Sequence, residues 1–573
     1  MKKSILFLCL VLYMVNVHAQ FMFNGRQAAI DTLTGTWLLT VPESVFGTDY
    51  HAAVAVPDSV TMCSLDSVAI TDSCVFANVQ PGSIYRFQAL NGQDTIRADI
   101  QFTYWPVIQI YGNYAKTPYR KGTVIYTHPD STEQLTIPSR VRWAGSSTAA
   151  VTRKKHNFHL KFYNEDGTKK DMSFFGLRSD FHWRLDAGQV DFARVRNRVA
   201  KDIWAEFSTP PYYAAYEPKT PYTYVRGDFV EVFLNDQYMG IYSLNEHMDR
   251  QQLKLKQYDY DAGEFHGGLW KPMKWSTVTL FSDPKTFDAT QKNWDEFYVK
   301  YPNIDDVNPT NFGTLHNAVK FASRASDADF RDSVGCYFDI PVLRDYYLFA
   351  ILLQSPDNVG KNAYYACYDV ATDKRLTMAI WDLDCTQGQF WSNLGTDYHN
   401  EKVGPEYDFK NNIFSSHVVF RRLWETDKSF HGLATERYWD LRSTTFNPDS
   451  IVARYKAYFD EMKACGADQR EITRWTRGSD LGGRVLNFDT ELTYLQDWWT
   501  RHIAYLDENV FMPYPMGDMN FDREVTIKDV TVLIDYLLGS DVVINLSHAD
   551  LNNNASIDIK DVSLLIDLLL GDI

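Results

Sequence analysis

The stretch "RLTMAIWDLDCTQGQF", residues 375–390, runs as an apolar strand into two carboxylates, Asp382 and Asp384. Side chains two apart on an extended chain share a face, and two carboxylates on one face hold something positive. Upstream, the apolar helical segment "VLRDYYLFAILLQ" is expected to stop at Pro356, with Asp357 following in a loop and Asn362 standing just before a strand. An Asp, a nearby Asn and a later Asp beyond a strand make a set that can move a phosphoryl group. The first Asp orients the attacking hydroxyl and takes its proton, while the Asn and the later Asp hold magnesium against the phosphates. Asp357, Asn362 and Asp382 are therefore the candidate catalytic residues, and Asn362, Asp382 and Asp384 the candidate ligands of Mg²⁺ or Mn²⁺.

A second oxygen-rich pattern lies at the C-terminus and occurs twice. "GDMNFDREVTIKDVTVLIDYLLGS" aligns with "ADLNNNASIDIKDVSLLIDLLLGD". Asp518 matches Asp550, Asn520 matches Asn552, Asp522 matches Asn554 and Asp529 matches Asp561, which puts oxygen side chains at loop positions 1, 3, 5 and 12, a spacing suited to calcium. Glu524 and Ser556 at position 7 are expected to give backbone carbonyls, and Thr526 and Asp558 at position 9 to act directly or through water. Position 6 holds Arg523 and Ala555 where glycine is usual. Each loop feeds an apolar run at helical spacing, so two calcium loop–helix units are expected.

The elements that must position these residues change along the chain. Residues 20–110 alternate apolar and polar residues between turns, as a small β-sandwich-like domain does. Residues 111–510 begin strand-rich ("FHLKFYN", "FVEVFLND", "YMGIYSLNE") and end helix-rich ("IPVLRDYYLFAILLQ", "SIVARYKAYFDEMKA", "TELTYLQDWWTRHIAYLDENV"), which indicates an α+β fold with two lobes. Residues 511–516 form a Pro-containing linker to the small α-helical module at 517–573.

Bulk composition narrows the function. The chain has 573 residues and a formal net charge of −16, which argues against nucleic-acid or anionic-membrane binding. Lys2 and Lys3, the short apolar run after them and Val17-His18-Ala19 read as a signal peptide over 1–19, so a secreted or cell-surface protein with no transmembrane helix in the mature chain is expected. Cys63 and Cys74 are candidates for a cross-strand disulfide; Cys336, Cys367, Cys385 and Cys465 read as buried small hydrophobes. The 14 His are dispersed, and His156 and His159, three apart near a strand, are poorly spaced for a metal. No HExxH or GxSxG occurs.

Five ordered motifs carry a resemblance. Gly145-Ser146-Ser147 with Lys154-Lys155 and Lys161; Arg196-Asn197; Gly240, Tyr242, Glu246 and Asp249; Asp357 with Asn362; and Trp381, Asp382, Asp384, Thr386 and Gly388 together resemble the spore-coat protein H (CotH) kinase family over about residues 105–510. The resemblance implies a two-lobed protein-kinase-like core that uses ATP and Mg²⁺ or Mn²⁺ to phosphorylate a protein hydroxyl. It implies that Gly145, Ser146 and Ser147 offer N–H groups to phosphates, that Glu246 orients a phosphate-binding lysine, either Lys155 or Lys161, and that Trp381 stacks on adenine or serves as core. Arg196 and Arg198 would contact phosphate or cap a solvated helix face. The chain departs from ordinary kinases: it has no GxGxxG loop and no His-Arg-Asp, and "WDLD" replaces Asp-Phe-Gly. The C-terminal pair resembles a type I dockerin, which implies two Ca²⁺ sites and a cohesin-type partner on a scaffold or cell surface. Two rival expectations are a non-catalytic display or adhesion protein using the kinase-like fold as scaffold, and a carbohydrate-active protein recruited by its dockerin.

Overall fold

The computed structural model describes residues 21–92, 94–145, 149–288, 291, 293–303, 312–392, 395–398, 403–475 and 485–571. The expected signal peptide and the pair Ser146-Ser147 lie outside these residues. The fold is mixed α+β, β-rich at the N-terminus and helical at the C-terminus. The chain forms two compact units of three stretches each: Met1–Val195, Arg226–His247 and Tyr455–Glu491 in the first, Arg196–Val225, Met248–Arg454 and Leu492–Ile573 in the second.

The first unit opens with a four-stranded and a six-stranded sheet. Alternation along strands such as Tyr85–Asn91 sends Tyr85, Phe87 and Ala89 inward, and both sheets share one apolar core with Phe23, Trp37, Phe76 and Phe102. Cys63 and Cys74 sit in that core as free thiols, not as the expected disulfide; they belong to strands of different sheets, and burial raises both, Cys74 to about 11. Cys336 is exposed, contrary to its reading as a buried hydrophobe.

Beyond these sheets the same unit closes a seven-stranded barrel. Its strands are Val107–Tyr111, Arg120–Thr127, Gln134–Ala144, Asn157–Phe162, His182–Asp186, Tyr238–Asn245 and Gly227–Leu234 in ladder order, closed by a parallel pairing of Val107–Tyr111 with Gly227–Leu234. Inward residues such as Val141, Phe158, Leu160, Trp183, Val230 and Leu244 fill it. The helix Ala467–Trp475 docks on the strand Tyr238–Asn245: Arg474 Nε donates to Tyr238 O (2.7 Å) and Trp475 Nε1 to Met239 O (3.0 Å).

The second unit is organised by a five-stranded antiparallel sheet ordered Asn293–Trp294, Phe297–Tyr301, Gly268–Pro272, Ala363–Cys367 and Thr377–Ile380. The helix Ile340–Leu353 is apolar around most of its circumference and is accordingly buried on nearly every side. It ends before Pro356, because Gln354 takes a left-handed cap (φ 46°) whose N–H closes on Ala350 O and Ile351 O. Asp357 therefore does not lie in a loop but opens a single helical turn, Asp357–Gly360.

The helices Ile527–Leu537 and Ile559–Leu570 form a small core of their own around Met519, Val530, Leu533, Val562 and Leu565. Both start with a capping box, Thr526 with Asp529 and Asp558 with Asp561. Phe521 lies against Gly432 of the helix Lys428–Arg442, where any Cβ would collide with its ring. Among the described residues, no helix is long and apolar enough to cross a membrane.

Candidate functional site

Strand register brings the first set of candidates together. Ala363 pairs with Ile380 at one end of an antiparallel hairpin, so Asn362 and Trp381-Asp382 leave the sheet side by side. Asn358 fixes them: its Nδ2 donates to Asn362 O (2.8 Å) and to Trp381 O (2.7 Å). Asn362 and Asp382 both take left-handed backbone, at φ 54° and 59°. Asn and Asp tolerate that region better than other side chains do, and such strain concentrates at functional sites. Beyond Asp382, Leu383 N–H donates to Asn197 Oδ1 (3.2 Å), and Gln389 Nε2 donates to Asp384 O (3.1 Å).

The charges around this turn are arranged by the neighbouring strand and helical turn. Lys271, buried in the strand Gly268–Pro272, donates from Nζ to Asn362 Oδ1 (3.2 Å). Asp357 pairs with Lys361 at 2.9 Å. Burial raises the Asp357 carboxyl and the charge of Asp382 adds to this, while Lys361 and Lys271 oppose it. A carboxylate raised in this way is a better proton acceptor. The amide and carboxylate oxygens of Asn362 and Asp382 suit a hard divalent cation, and the Lys271 ammonium at Asn362 Oδ1 shows that positive charge is accommodated there.

Other candidates in this unit have structural roles. Trp381 is 6% exposed and packs edge-to-face on Tyr364 at 5.5 Å within an apolar cluster, the contacts of a core residue. Arg196 and Arg198 are buried, correcting the expected solvated helix face. Arg196 Nε donates to Gln387 O (3.2 Å), Gln387 Nε2 returns to Arg196 O (3.2 Å) and Arg196 Nη1 reaches Gln389 Oε1 (2.9 Å), which pins the segment after "WDLD". Thr386 Oγ1 donates to Leu383 O, Gly388 (φ 88°) leaves room for the Tyr494 ring, and Asp249 caps the turn Arg250–Leu253.

In the first unit, Glu246 does not pair with either candidate lysine. It is 1% exposed and binds Arg226, Nη2 to Oε1 at 2.7 Å and Nε to Oε2 at 3.0 Å. Lys155 is instead bound to Glu471 at 2.7 Å and donates to Ile241 O at 2.9 Å. Glu471 also takes Arg194 Nε (2.7 Å) and the Ile241 N–H (2.8 Å). The physical reason lies in Gly240: at φ 93° and with no Cβ, it lets the Glu471 carboxylate approach the strand. Lys161 is half-buried over Tyr119 (4.6 Å), and burial together with Arg142, Lys169 and Arg140 lowers it. Gly145 turns the chain after the strand Gln134–Ala144 at φ 94°.

The two C-terminal loops fold alike. Asp529 Oδ1 accepts from the N–H groups of Met519 (2.9 Å) and Asn520 (3.2 Å), and its Oδ2 from Thr526 N–H (2.8 Å). Asp561 does the same for Leu551, Asn552 and Asp558. Asp518 takes Asp522 and Arg523 N–H, as Asp550 takes Asn554 and Ala555. Burial and then repulsion from Asp529 and Asp522 raise the Asp518 carboxyl, and Asn520 Oδ1 is buried with no hydrogen-bond partner; both features fit a bound cation. Glu524 and Ser556 N–H groups bond to Asp522 and Asn554. Thr526 and Asp558 cap their helices with their side chains, which leaves them the water-mediated option. Arg523 and Ala555 adopt φ 66° and 63° at position 6. Ala555→Gly is therefore expected to stabilise this module by about 0.5–1 kcal/mol, since glycine accepts that backbone without a Cβ clash. A thermal midpoint of the module no higher than that of the parent would show that Ala555 is unstrained.

Sequence reading missed Lys271, Asn358, Lys361 and Glu471. Lys271 had a signal, a lone lysine within "GLWKP". Glu471 had none, because it reaches its partners across more than two hundred residues of chain. The model of the CotH kinase protein family matches residues 141–506, and that of the Dockerin type I domain matches residues 516–570. No curated protein matches the chain.

Proposed function

The chain belongs to the CotH kinase protein family, and from that premise we propose that it is an exported, kinase-like phosphotransferase acting on a protein hydroxyl and attached to a cohesin-type partner through its dockerin. The observation that carries this reading is the turn at the end of the strand Thr377–Ile380, where Asn362 and Asp382 emerge together with Asp357 within range of the Asp382 charge. In this reading Asp357 orients the acceptor hydroxyl and takes its proton. Asn362 and Asp382, with Asp384 two residues further on, would hold a Mg²⁺ or Mn²⁺ ion, which when bound neutralises phosphate charge. Lys271 keeps the Asn362 amide oriented. Gly145, Ser146 and Ser147 are the candidate phosphate-binding residues, with Lys161 the nearby cation in sequence. The dockerin loops would bind two Ca²⁺ ions and so present the module to its cohesin-type partner.

One observation favours the rival, a non-catalytic display protein. Asp357 already holds Lys361 in an ion pair, so its carboxylate has a partner within the chain. Calorimetric titration of ATP with Mg²⁺ or Mn²⁺ into the full chain and into its Asp382→Ala variant separates the two. Metal-dependent binding by the parent that is lost in the variant is the expected result. No binding by either protein, with both folded, would overturn the phosphotransferase and leave the display role.

A further inference from the structure

We propose that His159, His182 and His247 form a binding site for one divalent transition metal of the zinc class, built on the core-distal face of the barrel and completed by an anionic fourth ligand. Ladder register makes the site. On the strand Asn157–Phe162, Phe158, Leu160 and Phe162 face the barrel core, so His159 faces away from it. Trp183 and Leu185 likewise face inward and leave His182 on the outer side. His159 pairs with Arg184, two residues from His182, which puts the two histidines on one diagonal. The next ladder pairs Arg184 with Asn245; continued by two residues, that register sets His182 opposite His247.

The rings meet as the register requires. His159 Nδ1 and His182 Nε2 are 3.1 Å apart, and the His182 and His247 ring centroids lie 4.0 Å apart with the rings tilted by 31°. One ligand nitrogen from each residue lies within 4.8 Å of the others. Zn–N bonds of about 2.0–2.1 Å at tetrahedral angles put ligand nitrogens about 3.3 Å apart, so the existing pair is already near that spacing. The residues are held from outside: Arg178 Nη2 donates to His247 O (3.0 Å), and His182 N–H donates to Asp180 Oδ1 (3.0 Å).

The surroundings define what else binds. Arg142 lies opposite His159 in the ladder, with Arg184 and Lys161 nearby. Three such cations repel a bare dication and attract an oxyanion or hydroxide on it.

Titrating Co²⁺ into the full chain, kept saturated with Ca²⁺ and Mg²⁺, reads the site through visible absorption. About one equivalent giving the intense bands of a four-coordinate ion is expected, with affinity lost by at least roughly tenfold in His182→Ala and His247→Gln. Arg142→Gln is expected to bind Co²⁺ roughly threefold to tenfold more tightly, a gain that no structural damage would produce. Inorganic phosphate should shift the bands of the parent. Absence of such bands in the folded parent, or unchanged bands in both histidine variants, would overturn the metal site; bands that phosphate does not shift would overturn the anionic ligand.

Discussion

Glu471→Ala is expected to destabilise the barrel-bearing unit by about 3–5 kcal/mol, the cost of removing one partner from a buried ion network. Glu471 is wholly buried, and its two oxygens take Lys155, Arg194 and the Ile241 N–H. Without the carboxylate, Arg194 keeps its buried charge with no Glu471 to offset it, and Lys155 loses the partner that sustains its ammonium. Arg194 cannot swing away, because its Nη1 also donates to Gly188, Gln189 and Asp191 carbonyls. Chemical denaturation followed by tryptophan fluorescence, with Trp475 on the same helix, measures the loss. A midpoint within experimental error of the parent would show that the network does not hold the helix Ala467–Trp475 to the barrel.

The same network has a pH signature. Burial lowers the Lys155 ammonium to about 7, with Arg194 acting in the same direction and Glu471 opposing. In the unfolded chain a lysine titrates near 10.4. Between those values the folded state binds fewer protons, so the contribution of this group to stability rises with pH from about 7 toward 10 and is absent below. Lys155→Met should flatten that part of the stability profile. A profile with the same slope in both proteins would exclude Lys155 as the titrating group.

Asp529→Ala is expected to unfold the C-terminal module. The side chain is fully buried and accepts three backbone N–H groups, from Met519, Asn520 and Thr526. Each buried donor left unsatisfied costs about 1–3 kcal/mol, and a module of this size has little stability in reserve. The expected result is loss of helical far-UV signal from this region and loss of calcium binding at the first loop. Asp561→Ala should do the same through Leu551, Asn552 and Asp558. Unchanged calcium affinity and far-UV signal in both variants would count against the loop assignment.

Local patterns reported local structure well. The alternation in "FVEVFLND" and "YMGIYSLNE" corresponds to the strands Gly227–Leu234 and Tyr238–Asn245, and the helical run from Ile340 to the helix Ile340–Leu353. The repeated oxygen spacing of 518–529 and 550–561 folds as two matching loops, because the Asp side-chain hydrogen bonds that shape them span no more than ten residues. Asn362 and Asp382 were legible as a set because one hairpin joins them.

Partner choice across long chain separations was not legible. Sequence proximity and family pattern offered Glu246 to Lys155 or Lys161, whereas Glu246 binds Arg226 and Lys155 binds Glu471. Glu471 reaches Lys155 only because a helix from far along the chain docks where Gly240 leaves room for its carboxylate. The spacing of His156 and His159 discouraged any metal reading, yet His159 meets His182 and His247, which lie on other strands or just beyond them. By itself, the sequence determined which residue types carry chemistry, where strands and helices run and how the C-terminal loops close, since those depend on neighbours along the chain. Only the tertiary structure decided which lysine meets which carboxylate and which histidines converge, because ladder register and helix docking, not sequence spacing, set the distances between buried charges.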